Sequence, residues 1–135
     1  MKNKLTYIID DDKLSIRLMS MLIEKNNFCE KIISFHNPQT ALNELIENAQ
    51  NPSNLPDVIL LDLNMPILDG WQFLDELKNI SFAKKIIIFI VSSSIDPTDL
   101  EMAKNYSTVK NYIIKPLNSD KLKQATTLIE NEATN

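Results

Sequence analysis

Two runs of apolar residues, at 58–61 and 86–91, contain no polar side chain. An uninterrupted apolar run of this length is typical of a strand that is buried on both faces, as in a parallel sheet. Three further β-rich runs lie at 5–9, 30–35 and 111–114. The pattern therefore predicts five strands, of which the third and fourth lie at the centre of the sheet.

Apolar residues at helical spacing fill the intervals between the predicted strands. The first predicted helix covers 13–25, and we expect its apolar stripe to face the core. The members of this stripe are Leu14, Leu18 and Leu22, with Met19 and Ile23 beside them. The stripes of the second, third and fifth helices are Ala41, Leu42, Leu45, Ile46 and Ala49; Phe73, Leu74 and Leu77; and Leu122, Ala125 and Ile129.

Capping residues mark the beginnings of several helices. Asp12 precedes the first helix, and Asn37-Pro38 and Asp96-Pro97 each place a cap before a proline in the first turn. Either Asp69 or Gly70 begins the third helix. Strand and helix thus alternate five times, and right-handed crossovers between parallel strands predict an α/β fold with a doubly wound sheet and helices on both faces.

Composition narrows the possible functions. The 135 residues suit one domain, 1–135, with a polar tail at 130–135, and the net charge of −4 argues against a nucleic-acid surface. No apolar run approaches the ~20 residues of a membrane span. The only cysteine is Cys29, the only histidine is His36 and the only glycine is Gly70. Disulfide frameworks, thiolate or multi-histidine metal sites and glycine-rich phosphate loops are therefore excluded, and a cytoplasmic protein is the simplest interpretation.

Reactive side chains follow four of the five predicted strands. They are Asp10 and Asp11 after the first, Asp62 after the third, Ser92 after the fourth and Lys115 after the fifth. Parallel strands end at the same edge of the sheet, which is where open α/β sheets bind ligands. Acids, a hydroxyl and an amine are therefore expected to meet there.

The residue types suggest what this edge can do. Three carboxylates at close range repel one another, and a hard divalent ion such as Mg²⁺ relieves the repulsion. Lys115 and Ser92 offer a positive charge and a hydrogen-bond donor for phosphate oxygens. Asp62 is then a candidate phosphoryl-accepting nucleophile. Taken alone, Asp62 also fits a helix cap or turn former.

In the order and spacing of its motifs, the chain resembles the receiver domain of two-component response regulators, from about Leu5 to Ile129. The motifs that carry the resemblance are Ile8-Ile9-Asp10-Asp11-Asp12, Leu60-Leu61-Asp62-Leu63-Asn64-Met65-Pro66 with Asp69-Gly70, Val91-Ser92-Ser93 and Tyr112-Ile113-Ile114-Lys115-Pro116. The resemblance implies a five-stranded parallel sheet of flavodoxin-like strand order 2-1-3-4-5. It also implies a signalling phosphoacceptor rather than an enzyme, limited to self-catalysed phosphotransfer and slow autodephosphorylation.

The resemblance assigns the site residues. Asp62 would accept phosphate from a phosphohistidine on a sensor histidine kinase or a histidine phosphotransfer protein. Asp11 and Asp62 would ligate Mg²⁺ directly, together with the main-chain carbonyl of Asn64, and Asp10 would contribute through water.

The remaining positions form the switch. Ser92 takes the switch hydroxyl position, and Tyr112 takes the switch aromatic position, which swings inward when Ser92 engages the phosphoryl group. Lys115 takes the phosphate-pairing position, and its bond to Pro116 is expected to be cis. Glycines common in the family are replaced by Asn26-Asn27 and by residues 105–107, so we expect local differences in these loops.

We expect a stand-alone receiver whose fourth helix, fifth strand and fifth helix bind a downstream protein. Neither nucleic acid nor membrane is expected as a partner, and we expect a monomer or weak homodimer. Two alternatives remain open. One is a phosphatase with an Asp nucleophile, although Asn64 stands where such enzymes place a second acid. The other is an interaction module that works without phosphorylation, although every position of the acid, hydroxyl and lysine set is filled.

Overall fold

The computed structural model describes residues 3–133. Its strands are β1 (Leu5–Ile9), β2 (Lys31–Phe35), β3 (Val58–Leu61), β4 (Ile87–Ser92) and β5 (Val109–Ile114). Its helices are α1 (Lys13–Lys25), α2 (Pro38–Glu47), α3 (Gly70–Lys78), α4 (Pro97–Ala103) and α5 (Ser119–Ala133), with a 3₁₀ helix at Pro52–Asn54. The predicted alternation of strand and helix is confirmed.

The five strands form one parallel sheet in the order β2-β1-β3-β4-β5. This is the flavodoxin-like order, and the predicted fold class is confirmed. Every residue of β3 and β4 is buried, as their continuous apolar runs predict. One core cluster lies between the sheet and α2 and α3, and the other lies under α1 and α5.

The core face predicted for α1 is wrong at Leu14 and Leu18. Leu14 and Leu18 are 63% and 58% exposed, whereas Met19 and Ile23 are buried and Leu22 is partly buried. Helix α1 carries two apolar stripes at helical spacing, and periodicity alone does not decide which one faces the sheet. The exposed stripe continues to Met21, which is 60% exposed.

Smaller differences from the prediction concern helix α2 and the ends of several elements. Ile46 is 52% exposed, although Ala41, Leu42 and Leu45 of the same stripe are buried. Strand β5 begins two residues before the predicted 111. Residues 130–133 continue α5, so this part of the predicted tail is helical, and residues 134–135 lie outside the described residues.

The caps that position the helices are as predicted. Asp12 accepts hydrogen bonds from the backbone N–H groups of residues 14 and 15, and Asp96 accepts one from Thr98. Asp69 forms a reciprocal capping box with Gln72 at the start of α3. Asn27, with a φ of 51°, adopts the left-handed conformation in which asparagine replaces glycine after α1. Among residues 3–133, no helix is both long enough and apolar enough to cross a membrane.

Candidate functional site

The sheet brings the ends of β1 and β3 side by side. Ile9 is in register with Leu61, and the next residue of each strand path is an aspartate. The Asp62 N–H donates to the carbonyl of Ile9 at 2.9 Å, and the Asp10 N–H donates to the carbonyl of Phe35 at 3.0 Å. Backbone hydrogen bonds therefore fix Asp10 and Asp62 as neighbours at the carboxyl edge of the sheet.

Three carboxylates meet at this edge. Asp10, Asp11 and Asp62 each place a carboxylate oxygen within 4.8 Å of the other two. Asp10 and Asp62 are buried, at 1% and 6% exposure, whereas Asp11 is exposed. The cluster therefore has two buried members and one that is accessible to solvent.

Burial and like charge act on Asp62 together. Burial raises its pKa first, the charges of Asp10 and Asp11 raise it further, and Lys115 and the backbone N–H of Leu63 lower it. The net result is a pKa of about 6, against an ordinary value of 3.8. The protein alone therefore compensates the negative charge of Asp62 poorly. Binding of a cation, or neutralisation of the carboxylate, would remove this unfavourable interaction.

Lys115 lies close to both buried acids. Its ammonium donates to Asp10 Oδ2 at 2.7 Å and lies 3.8 Å from Asp62 Oδ1. Its backbone N–H donates to the carbonyl of Ser92 at 2.8 Å, which ties the end of β5 to the end of β4. The peptide bond between Lys115 and Pro116 is cis, as the resemblance implies.

Asp10 is held on both carboxylate oxygens. Oδ2 accepts the hydrogen bond from Lys115, and Oδ1 accepts one from the backbone N–H of Asp12 at 2.9 Å. These bonds orient Asp10 beside Asp62 and occupy one lone pair on each oxygen, so further acceptor capacity remains for water. The contribution of Asp10 through water, like that of the Asn64 main-chain carbonyl, stays a prediction.

Ser92 and Tyr112, the two predicted switch residues, both form hydrogen bonds with Ser94. Ser92 is fully buried, and its Oγ accepts a hydrogen bond from the Ser94 N–H at 3.2 Å. The half-buried Tyr112 donates its phenolic hydrogen to the Ser94 carbonyl at 2.9 Å. The two predicted switch positions are thus connected through one residue of the loop after β4.

Sequence reasoning missed two contacts near this loop. Asp99 of α4 accepts hydrogen bonds from the Ser94 hydroxyl and from the Trp71 indole. The sequence indicates only a loop serine, a packing tryptophan and an acid in a first helical turn. No periodicity or spacing signal connects α3 with α4, so this contact was beyond prediction.

The donor set fits a hard divalent cation. All three clustered side chains offer carboxylate oxygens, which Mg²⁺ prefers, and burial together with the charges of Asp10 and Asp11 raises the pKa of Asp62. Lys115 supplies only one positive charge against three acids. The acidic pocket is therefore compatible with Mg²⁺.

Comparison with known proteins identifies the family. The model of the response regulator receiver domain matches residues 6–127. The crystal structure of a two-component response regulator from Cytophaga hutchinsonii is similar, with a TM-score of 0.85 and 30% identity, covering 97% of this chain and 99% of that one.

Two protein relatives match over most of their length. The chemotaxis protein CheY of Bacillus subtilis (strain 168) is 25% identical over 118 residues, 87% of this chain and 90% of CheY. The probable methanogenesis regulatory protein FilR2 of Methanothrix harundinacea (strain 6Ac) is 29% identical over 118 residues, 87% of this chain and 75% of FilR2. Several further relatives are longer, and the chain spans 31% of their length or less. The family match, the similar fold and the cluster of acids, hydroxyl and lysine together show that this chain belongs to the response regulator receiver domain family.

Proposed function

We propose that Asp62 accepts a phosphoryl group from a phosphohistidine on a sensor histidine kinase or a histidine phosphotransfer protein. The observation that carries the proposal is the position of Asp62, buried beside two acids and 3.8 Å from the ammonium of Lys115. A carboxylate oxygen of Asp62 forms the new P–O bond while the P–N bond to histidine breaks and the histidine nitrogen keeps the electron pair. The product is an aspartyl phosphate.

The neighbouring side chains would stabilise the charge on the transferred group. The Lys115 ammonium pairs with a phosphoryl oxygen, and the Ser92 hydroxyl donates to another. Asp11 and Asp62, with the Asn64 main-chain carbonyl, would hold Mg²⁺, and Asp10 would contribute through water. When bound, the metal neutralises charge on the acids and on phosphate oxygens and holds the reacting groups in line.

We propose self-catalysed phosphotransfer followed by slow autodephosphorylation, in which water attacks the phosphorus and releases Asp62 and inorganic phosphate. Multiple turnover on a generic phosphate ester would contradict this and favour a phosphatase. A cytoplasmic location stays a prediction.

The exposed stripe of α1 supports a protein donor. Leu14, Leu18 and Met21 are each close to 60% exposed and lie on one helical face. Helix α1 begins two residues after Asp11, so this face starts beside the acidic cluster. An apolar helical face of this kind suits packing against a helix of the donor that carries the phosphohistidine.

The output would be a change in binding to a downstream protein. The proposed output surface consists of α4, β5 and α5. Phosphate on Asp62 shifts the population of the loop after β4 by contacts that only one arrangement makes. A monomer or weak homodimer would suffice for this binding.

The test is phosphotransfer to Asp62→Asn and to a matched control, Asp120→Asn, which changes an exposed acid far along the chain in α5. Each protein is incubated with acetyl phosphate and Mg²⁺, and intact mass spectrometry counts the phosphoryl groups. We expect one group on the wild type and on Asp120→Asn, none on Asp62→Asn, and none when Mg²⁺ is chelated. A phosphorylated Asp62→Asn protein would refute the assignment of the acceptor.

A further inference from the structure

One carboxylate joins three separate segments beside the switch. Asp99 in α4 accepts a hydrogen bond from the Ser94 hydroxyl at 2.6 Å through Oδ2, and from the Trp71 indole N–H at 3.3 Å through Oδ1. Ser94 lies in the loop after β4, and Trp71 is the second residue of α3. Because hydrogen bonds to a charged acceptor are the strong ones, Asp99 ties this loop to two helices at once.

Ser94 links Asp99 to both predicted switch positions. Its N–H donates to the Ser92 hydroxyl oxygen, its carbonyl accepts from Tyr112, and its own hydroxyl donates to Asp99. The hydroxyl also accepts the Asp96 N–H at 3.3 Å. Backbone and side chain of Ser94 are therefore held from several directions.

Trp71, the second hydrogen-bond donor to Asp99, is held in place on α3. The Trp71 ring stacks on Tyr106, with ring centroids 5.4 Å apart and planes at 25°. Tyr106 is buried and donates its phenolic hydrogen to Asp75 of α3 at 2.8 Å. Trp71 is thus held by packing on one side and by Asp99 on the other, so a displacement of Asp99 alters the surroundings of the indole.

The hydrogen bond between Ser94 and Asp99 would oppose a movement of the loop toward a phosphoryl group on Asp62. In accepting the Ser94 N–H, Ser92 keeps its own hydroxyl hydrogen, which is available to a phosphoryl oxygen on Asp62. A bond in that direction would draw residues 92–94 toward the phosphate, whereas the hydrogen bond to Asp99 holds Ser94 beside α4. The two interactions would then act on residues 92–94 in different directions.

We propose that Asp99 is a positioning residue that stabilises the unphosphorylated arrangement of the loop after β4 and transmits its rearrangement to Trp71. The inference rests on the proposed function, because it requires a phosphoryl group at Asp62. Asp99 then sets how much of the binding free energy of that group is used to rearrange the loop.

The first experiment measures the affinity for beryllofluoride, a tetrahedral stand-in for a phosphoryl group, in the presence of Mg²⁺. The variants are Asp99→Ala and Ser94→Ala, each of which removes one side of the 2.6 Å hydrogen bond. Glu101→Ala is the control, because Glu101 is an exposed acid of α4 that pairs with Lys104. We expect both test variants to bind about three- to tenfold more tightly than the wild type, and the control to bind equally.

The second experiment follows the indole N–H resonance of Trp71, which is the only tryptophan, by NMR. Without ligand, this resonance should already be displaced in Asp99→Ala and Ser94→Ala, toward the position that the wild type takes up with beryllofluoride. Trp71→Phe keeps a stacking ring but loses the donor, and it should also bind beryllofluoride more tightly. It serves as the independent variant if Asp99→Ala does not fold.

The outcomes separate the two proposals. A wild type that binds no beryllofluoride refutes the proposed function and removes this inference with it. The inference alone is refuted if the wild type binds beryllofluoride but the test variants bind it within twofold of the wild-type affinity or more weakly. A Trp71 resonance that stays unchanged on binding also overturns the inference.

Discussion

The ammonium of Lys115 donates a 2.7 Å hydrogen bond to Asp10, a carboxylate that is only 1% exposed. This pair joins the end of β5 to the end of β1 across the two intervening strands. The same ammonium lies 3.8 Å from Asp62, so it counters the charge of both buried acids. Lys115 therefore stabilises the two buried acids in the structure as it stands.

Replacing Lys115 by methionine should lower both stability and phosphate binding. Asp10 would be left buried without its cation, which we expect to reduce the free energy of unfolding by about 3 kcal/mol in the absence of Mg²⁺. Urea denaturation checks this value, and beryllofluoride titration checks the loss of binding. Lys115→Arg retains the charge and should lose less than half as much stability. Equal stability of Lys115→Met and wild type would show that the ion pair is not needed to hold Asp10.

Asp62 should destabilise the metal-free protein at neutral pH. Its pKa is raised to about 6 from 3.8, first by burial and then by Asp10, so its charge disfavours the folded state above that pH. The folded state binds the additional proton between the two values, so this penalty disappears as pH falls from 6 toward 4. With Mg²⁺ chelated, Asp62→Asn should be more stable than wild type by about 1–2 kcal/mol at pH 7.5 and equally stable near pH 4.

Added Mg²⁺ should reverse this order, because the ion binds the wild-type acids and stabilises the folded state in proportion to its occupancy. Thermal unfolding with EDTA and with excess Mg²⁺ measures both effects. Asp120→Asn, which removes an exposed charge, should show neither. A metal-free Asp62→Asn protein that is less stable than wild type at pH 7.5 would contradict the electrostatic account.

The sequence predicts those parts of the molecule that depend on one element at a time. Continuous apolar runs identify the central strands β3 and β4 because such strands are buried on both faces. Caps such as Asp96 identify helix starts because they act on the next two or three residues. Once the strands are parallel, Asp10, Asp62 and Lys115 must lie at the same edge of the sheet, since each directly follows a strand.

Features that depend on packing between elements could not be predicted. Leu18 and Met19 are adjacent on α1, and only contact with the sheet decides that Met19 is buried and Leu18 is exposed. The bond between Ser94 and Asp99 depends on the path of a loop and the position of a short helix. No local rule connects these residues, whereas the motif around Asp62 is local.

Gly70 should resist even the smallest side chain. A Cβ at this position would lie 2.7 Å from the carbonyl oxygen of Asp62 and 2.9 Å from Leu63 Cα, both of them backbone atoms at the end of β3. We expect Gly70→Ala to lower the free energy of unfolding by about 2–3 kcal/mol and to weaken beryllofluoride binding by displacing the Asp62 backbone. Lys13→Ala, at the first position of α1, is the matched control for chemical denaturation. An unchanged Gly70→Ala protein would show that β3 and α3 separate at little cost.

Ile67 occupies a backbone conformation that suits it poorly. Its φ is 71°, in the left-handed region, and its side chain is fully exposed, so no packing compensates the strain. Ile67→Asn should therefore raise the free energy of unfolding by about 1 kcal/mol, measured by urea denaturation. Ile95→Asn replaces another exposed isoleucine, one without a positive φ, and should give no such gain. Equal effects of the two substitutions would indicate that reduced apolar exposure, not backbone strain, is responsible.

Asp57 lies at the opposite edge of the sheet from Asp62. Its carboxylate should make the stability of the fold depend on pH. This buried carboxylate accepts hydrogen bonds from the backbone N–H groups of Lys4 and Leu5 and from the Lys84 ammonium at 2.9 Å. Burial alone would raise its pKa, but Lys84 and the two amides outweigh burial and hold the pKa below the ordinary 3.8. The unfolded chain therefore takes up the proton first as the pH falls. The stabilisation is complete well above pH 3.8 and is lost as the pH falls through the lower, folded value.

The substitution that isolates this contribution is Asp57→Asn, because it keeps the size of the side chain and removes the charge. We expect it to lower the free energy of unfolding by about 2 kcal/mol at pH 7, since Lys84 and two backbone donors lose their charged acceptor. The difference from wild type should shrink as the pH falls below about 4, where the unfolded wild-type chain takes up a proton before the folded one does. Urea denaturation at pH 7, 5 and 3 follows this change, with Asp120→Asn as the control. A difference that stays constant from pH 7 to pH 3 would mean that packing at position 57, not its charge, joins β1 to the loop before β4.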